Sequence, residues 1–297
     1  MKLSFSDRAL SVFSYIAVAA LSFLTLYPFW NSIVISFNTG SDTMLGGLTF
    51  WPRHWTLENY EIILKNKSMY QAVLISVLRT AIGTALAIFL TSLFAYGLSK
   101  KFLAGRKFYF IVAIITMYFS GGLIPTFLWF RELHLYDSFW VLVLPGMVNV
   151  YYMLIFRTFF SELPDGLEES AKIDGCTDFG IFFRIVLHVS GPILATISLF
   201  TAVGLWNEWF TASIYINNQS LLPLQTYLIN AMNSSLFYEQ MTSALNSEAM
   251  KQMSQQTITA KALQMSTLVI ATMPIIMVYP FVQKYFVKGV LVGSIKG

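Results

Sequence analysis

Two ionisable side chains, Arg79 and Glu208, stand inside stretches of sequence that are otherwise apolar. A charge in hydrocarbon is costly, so an ionisable residue at such a position is a functional candidate by default. Each lies about seven residues in from the outer end of its stretch, which at 1.5 Å per residue puts both about 10 Å deep. Mutual neutralisation as an ion pair is the chemistry expected. Snorkelling of Arg79 and a local hydrogen bond for Glu208 are the simpler readings. A second set, Tyr118, Asn149, Tyr151, Trp206 and Asn207, places amides, phenols and an indole in the same kind of apolar surroundings. Sugars are held by stacking on aromatic rings and by hydrogen bonds from such groups. The same side chains also serve as glue between helices. No catalytic constellation accompanies them. Three scattered histidines (His54, His134, His188) make a metal site unlikely, and Cys176 alone makes neither a disulfide scaffold nor a thiolate cluster. The apolar stretches hold no carboxylate pair and no activated nucleophile.

The elements that position these residues follow from composition. The chain has 297 residues, of which 56% are hydrophobic, 16% aromatic and 11% charged, against about 25% charged in an ordinary soluble domain. Mean hydropathy is +0.62. With 19 basic and 15 acidic side chains, the chain has too few charges to cover a soluble surface. A soluble enzyme, a disordered protein and a nucleic-acid binder are excluded, despite the net charge of +4. An all-α polytopic membrane protein remains. A span needs about 20 apolar residues, and six windows qualify, near Ala9–Phe37, Ala72–Leu98, Phe108–Phe130, Ser138–Phe156, Val189–Tyr215 and Ala262–Gln283. The first runs straight into Tyr27-Pro28-Phe29-Trp30 without a small-x-small cleavage site, so it is read as a retained helix. Gly121-Gly122 and Pro125 predict a kink in the third span, and Pro274 and Pro280 a bend in the sixth.

Orientation follows from Lys and Arg. With the N-terminus inside, inner segments hold twelve of these cations and outer segments six. The short loop with Lys100, Lys101, Arg106 and Lys107 and no acid decides the matter. Both termini are placed in the cytoplasm, and the net charge becomes a topology signal.

Three loops are longer than a plain bundle needs. In the outer loop Asn38–Gln71, Trp51, Pro52, Trp55 and Tyr60 suggest a turn into a short interfacial helix, capped by Thr56, with Asn59 or Tyr60 in its first turn. The outer loop Ile216–Lys261 predicts helices near Leu224–Met232 and Ser243–Met253. The inner loop Arg157–His188 predicts helix, Gly turn, helix. Asp165 and Glu168 have capping-box spacing, and Gly175 stands where a helix ends with positive φ. Thr177 or Asp178 caps a second helix whose Phe179, Phe182, Phe183, Val186 and Leu187 share a face. Such a unit suits a knob docked on a soluble partner, or a simple amphipathic connector.

The inner loop resembles the cytoplasmic coupling loop, the EAA motif, of permease subunits of binding-protein-dependent ABC importers. The pattern stands as Glu169-Ser170-Ala171, Lys172-Ile173-Asp174, Gly175 and later Ile185-Val186-Leu187-His188. His188 replaces the usual Pro, and Gly191-Pro192 just beyond can supply the helix break. Pro164, Asp174-Gly175 and Trp206-Asn207-Glu208-Trp209 fit the sugar-importing branch, and the overall look is similar to importers of oligosaccharides such as alginate fragments. The resemblance implies a type I importer permease fold over residues 1–297 as one transmembrane domain. It implies a second, homologous permease subunit, two ATPase subunits inside and a solute-binding protein outside. The Glu169–Gly175 helix, with Ser170, Ala171 and Asp174, would dock on an ATPase, Glu169 meeting a basic residue there. ATP and Mg would belong to the ATPase partners, since this chain has no Gly-x-x-x-x-Gly-Lys-Ser/Thr loop; it is not itself an enzyme. An ion-coupled secondary transporter is the alternative, but no internal repeat supports it. A membrane-embedded glycosyltransferase would need an acidic or His cluster that the loops lack.

Overall fold

The computed structural model describes residues 5–47, 50–244 and 259–294. Lipid offers backbone groups no hydrogen bonds, so a spanning chain must satisfy them internally. Helices accordingly dominate. In chain order they are α1 (Phe5–Ser36), α2 (Gly40–Met44), α3 (Glu58–Lys65), α4 (Lys67–Ser99), α5 (Arg106–Tyr118), α6 (Leu123–Glu132), α7 (Val150–Ser161), α8 (Asp165–Ile173), α9 (Asp178–Val189), α10 (Gly191–Asn207), α11 (Phe210–Tyr215), α12 (Leu224–Ala244) and α13 (Ala260–Ser294). Among the described residues, β-pairing is confined to an isolated bridge between Asn38 and Trp55.

Leu10–Ser36, Lys67–Ser99 and Ala260–Val278 are long and apolar enough to cross a bilayer unbroken. The other three expected spans are bent pairs. The third, expected at Phe108–Phe130 with a kink at Gly121-Gly122, turns sharply there: α5 and α6 meet at 115°. The turn falls at Gly122, whose φ of 88° only glycine adopts without steric cost. The fourth, expected at Ser138–Phe156, begins as two 3-10 turns, Phe139–Leu142 and Leu144–Gly146, then bends by 45° into α7, which runs on to Ser161. The fifth, expected at Val189–Tyr215, has two interruptions. An 84° bend separates α9 from α10 at Ser190, with Pro192 in the first turn of α10 as the break beyond His188 requires. A second break at Glu208–Trp209 divides α10 from α11.

The chain packs as two units. The first comprises the described residues of Met1–Met69 and Leu228–Pro274. A polar knot at the C-terminal end of α1 orders the long loop that follows it. Asn59 is fully buried, and its Nδ2 donates to Ser36 O and Asn38 O, both at 3.0 Å. Ser36 Oγ lies 2.7 Å from Tyr60 Oη, and Ser266 Oγ of α13 donates to Ser36 O at 3.3 Å. Asn38 Nδ2 donates to Asp42 at 2.8 Å, and Arg53 Nε closes on the same carboxylate oxygen at 3.0 Å. Burial pushes the Asp42 carboxyl up, but the Asn38 amide and the Arg53 guanidinium outweigh it and hold it below the usual 3.8. The expected cap Thr56 sits one residue too early: α3 starts at Glu58 after Leu57, and Thr56 Oγ1 accepts the Glu58 N–H at 3.2 Å. Trp51 and Trp55 stay exposed. In the loop expected at Ile216–Lys261, α12 extends the predicted Leu224–Met232 helix to Ala244. The predicted Ser243–Met253 helix falls, beyond Ala244, outside the described residues.

The second unit comprises the described residues of Tyr70–Tyr227 and Ile275–Gly297. One apolar cluster joins α4, α7, α8 and α9 through Tyr96, Met153, Phe156, Phe160, Ala171, Ile181, Phe182 and Val186. Phe156 stacks on Phe160 with centroids 5.7 Å apart, and Tyr96 meets Phe182 at 5.2 Å. A second cluster, including Ile75, Leu142, Ala212 and Tyr215, joins α4, the first 3-10 turn and α11.

Candidate functional site

The inner loop is built from its glycine outward. Gly175 has φ +79°. Its N–H donates to Lys172 O at 3.0 Å and the Cys176 N–H to Ala171 O at 2.9 Å, the paired bonds of a Schellman turn that satisfy the last carbonyls of α8. The expected capping box at the other end is not made. Pro164 occupies the cap position, Asp165 is already helical, and Glu168 turns instead to Lys100, with which it forms an ion pair. Both acids still lie in the first turn, where the helix dipole favours negative charge. Thr177 Oγ1 accepts the Gly180 N–H at 3.2 Å and so caps α9.

The expected apolar face of α9 is also altered. Ile181, Phe182 and Val186 are buried, whereas Phe179 and Phe183 are exposed. The helix widens into a π turn over Phe182–Val186, and the added residue per turn rotates the faces beyond it.

Three contacts fasten this unit to the bundle. Ala171 faces the apolar cluster. Lys100, beside Glu168, lies 4.1 Å above the Tyr96 ring. Lys172 Nζ lies 3.3 Å from Asp178 and 4.7 Å from the Phe102 ring centroid. The free carbonyl of Leu98 near the end of α4 accepts from Arg106 Nε at 2.8 Å and Arg157 Nε at 3.2 Å. On the opposite side of α8, Glu169, Ser170, Asp174 and Gly175 are exposed. Ile173 projects furthest, at 86% exposure, an apolar tip the sequence pattern did not single out. Lys100 was legible only as a topology charge; its acidic partner is 68 residues away.

Arg79 and Glu208 meet within the second unit. Arg79 is 2% exposed. Its Nη2 pairs with Glu208 Oε2, its Nη1 donates to the Glu208 carbonyl at 2.7 Å, and its Nε donates to Leu142 O at 3.1 Å. Glu208 Oε1 accepts the Thr211 N–H at 2.7 Å. The pair therefore sits on a helix break. The guanidinium satisfies the freed carbonyl of Glu208, and the carboxylate satisfies a free N–H in the first turn of α11.

The five polar candidates each stand at a helix end beside a break. Tyr118 ends α5 and is 81% exposed. Asn149 is the N-cap of α7: its Oδ1 accepts the Tyr152 N–H at 3.0 Å, and its own N–H donates to Thr91 Oγ1 at 3.2 Å. Tyr151, in the first turn of α7, is mostly exposed. Trp206 is buried near the end of α10, and Asn207 Nδ2 bonds back to Val203 O at 3.0 Å. Asn149 also lines a cleft with Thr91, Tyr152, Phe200 and Thr201. These last four residues the sequence pattern missed, because each reads as an ordinary helix residue.

Described residues that are predominantly helical, up to six spans with three of them broken, and a helix–Gly turn–helix loop fastened to the bundle along one side are by class those of a membrane transport component. The family model described as binding-protein-dependent transport system inner membrane component matches residues 87–292, and the chain belongs to that family. It is 40% identical to the polygalacturonan/rhamnogalacturonan transport system permease protein YtcP of Bacillus subtilis, over 98% of this chain and 99% of the relative. It is 27% identical to the arabinooligosaccharides transport system permease protein AraQ of Halalkalibacterium halodurans, over 95% of each. It also matches a chain in the crystal structure of a bacterial ABC transporter involved in the import of the acidic polysaccharide alginate, with a TM-score of 0.86 and 26% identity over 96% of this chain and 99% of that one.

Proposed function

We propose that this chain forms part of the translocation pathway of an ATP-driven importer for a sugar or oligosaccharide delivered by an extracytoplasmic solute-binding protein. All 297 residues act as one transmembrane domain with both termini in the cytoplasm, as the twelve-to-six bias of cations toward the inner segments favours. A second, homologous permease subunit completes the pathway. Two ATPase subunits bind ATP and Mg, and one of them docks on the inner loop of this chain. Fragments of acidic polysaccharides are the substrate class favoured by the relatives' names.

The observation that carries the coupling role is the two-sidedness of α8. Ala171 and the Lys100–Glu168 pair fix one side, while Glu169, Ser170, Ile173 and the Asp174-Gly175 turn project from the other. A helix held this firmly passes on a push as a displacement of the spans, so ATPase closure drives alternating access. Arg79 and Glu208 hold the outer end of the fifth span at its break. The test is reconstitution of the complex in proteoliposomes. Glu169→Lys and Gly175→Val are expected to cut import sharply while the ATPase subunits still bind ATP. Sugar transport by this chain alone would refute the reading.

A further inference from the structure

The last turns of α4 carry an apolar cleft that the fold leaves open. It has a volume of about 260 Å³, and Leu93, Phe102, Leu103, Phe179 and Phe182 supply its apolar walls. Gly97 lies among them. A glycine inside a helix is destabilising relative to alanine, so its presence asks for a reason. Gly97 is not among the residues with positive φ, and a β-carbon built on it would meet no atom within 4 Å. Neither backbone conformation nor close packing therefore requires glycine here. What the missing side chain leaves is the open space of the cleft.

Depth follows from the flanking charges. Lys100, Lys101, Arg106 and Lys107 come directly after α4 and mark the inner interface. Leu93 precedes Lys100 by seven residues, about 10 Å at 1.5 Å per residue. The cleft thus runs from headgroup level well into the inner half of a hydrocarbon core about 30 Å thick. One turn deeper, the exposed rings of Phe89 and Phe183 stack with centroids 6.0 Å apart and extend the apolar surface. The π turn of α9 is what leaves Phe179 and Phe183 facing outward.

Charge at the shallow end has one sign left over. Glu168 and Asp178 are already paired, with Lys100 and Lys172. Glu169 and Asp174 lie on the other side of α8. Lys101 and Lys107 are exposed and make no ion pair among the described residues. Between them in sequence, Phe102 is 64% exposed. Cations alone would suit an acidic protein surface, and rings alone would suit any hydrocarbon. An apolar groove that opens onto unpaired cations suits an amphiphile with an anionic head and an acyl tail.

We propose that this cleft binds one anionic phospholipid of the inner leaflet. An acyl chain lies over Gly97, along Leu93, Phe179 and Phe182. The phosphate meets Lys101, and Lys107 adds to the attraction. The bound lipid stands between the end of α4 and the start of α9, beside the Lys100–Glu168 pair that fastens α8. Binding requires only that the chain lies in a bilayer with residues 100–107 at its inner face, whatever the importer carries.

The test uses the full complex, with the partner permease and both ATPases, in phosphatidylcholine nanodiscs. The probes are phosphatidylglycerol and phosphatidylcholine, each carrying a photoreactive diazirine on one acyl chain. Labelled peptides are mapped by mass spectrometry. The phosphatidylglycerol probe is expected to label residues 93–103 and 178–183 at least fivefold more than the phosphatidylcholine probe does. Gly97→Leu fills the cleft with a better helix former and should cut that label at least fivefold, while Gly97→Ala stays within twofold of wild type. Lys101→Gln should bring the two probes within twofold of each other. Label elsewhere in the same chain is the internal reference, which a general folding defect would also move. Label spread evenly over the helices, or equal labelling of the cleft by both probes in the wild type, overturns the site. So does cleft label that survives Gly97→Leu. Lys101 cross-linked to an ATPase subunit while the cleft stays unlabelled would assign the surface to that partner, with the same consequence.

Discussion

Replacing Arg79 by Met removes three donated bonds at once, to Glu208 Oε2, Glu208 O and Leu142 O. Arg79 is almost fully buried, and the Glu208 side chain is about two-thirds buried, with 32% exposure. Taking one partner from a buried pair leaves an uncompensated charge and costs about 3–5 kcal/mol. Glu208→Gln is the milder change. The single amide oxygen can still accept from Thr211 and the backbone carbonyl still receives Nη1, but the amide NH2 cannot accept from Nη2, and the buried guanidinium loses its counter-charge, at about 3 kcal/mol. The double variant Arg79→Met with Glu208→Gln should then be more stable than Arg79→Met alone, because the stranded carboxylate is gone. The coupling between the two sites should be about 1–3 kcal/mol. Unfolding in mixed SDS and dodecyl maltoside micelles, followed by the loss of helical circular dichroism, measures all four proteins. Equal, additive effects for the two single changes would refute the argument, since they would mean that neither group depends on the other.

Other outcomes follow from the same geometry. At Gly175, φ is +79° and a β-carbon added to the residue would meet no atom within 4 Å. The penalty for an L-residue there is purely conformational, about 1–2 kcal/mol. Gly175→Asn should therefore retain import where Gly175→Val loses it in the proteoliposome assay. Lys100→Met frees Glu168 and should raise the rate of tryptic cleavage at Lys172, with a stability loss of about 1.5–3 kcal/mol; unchanged cleavage would count against a fastened α8. The Asp42 carboxyl is held below 3.8 in the folded loop, so its contribution is complete above that pH and disappears as pH falls through the lower folded value. Hydrogen exchange over residues 38–56 should accelerate in that acid range, and Asp42→Asn should abolish the pH dependence.

The six apolar stretches were legible because hydropathy answers directly to lipid, whose demand for satisfied backbone groups depends on no other part of the chain. The glycine turn at Gly175 and the Thr177 cap were legible for a similar reason, since both are local. What stayed hidden depends on distant partners. Glu168 has the spacing of a capping box, but Lys100 competes for it and wins with a full charge. The apolar periodicity of α9 assumes 3.6 residues per turn, and the π turn at Phe182–Val186 breaks that assumption without any glycine or proline to announce it. The break at Glu208 carries no such signal either. Its backbone is held open by Arg79, which is 129 residues away. The polar residues within the spans were the available signal: Tyr118, Asn149, Tyr151, Trp206 and Asn207 all cluster where helices end.

The first helix differs from the others in what it lacks. Across the most apolar window of Leu10–Ser36, none of the residues is buried within the chain, although the outer end at Val34–Ser36 is tied into the polar knot. Between two apolar solvents, lipid and protein, helix association has no hydrophobic drive and depends on packing contact. Along its apolar length α1 touches chiefly the loop that follows it, where Phe23 and Tyr27 meet Phe50 and Trp30 Nε1 donates to Phe50 O at 3.0 Å. The bare apolar surface of α1 is therefore where this chain has most packing still to gain from a neighbour in the membrane.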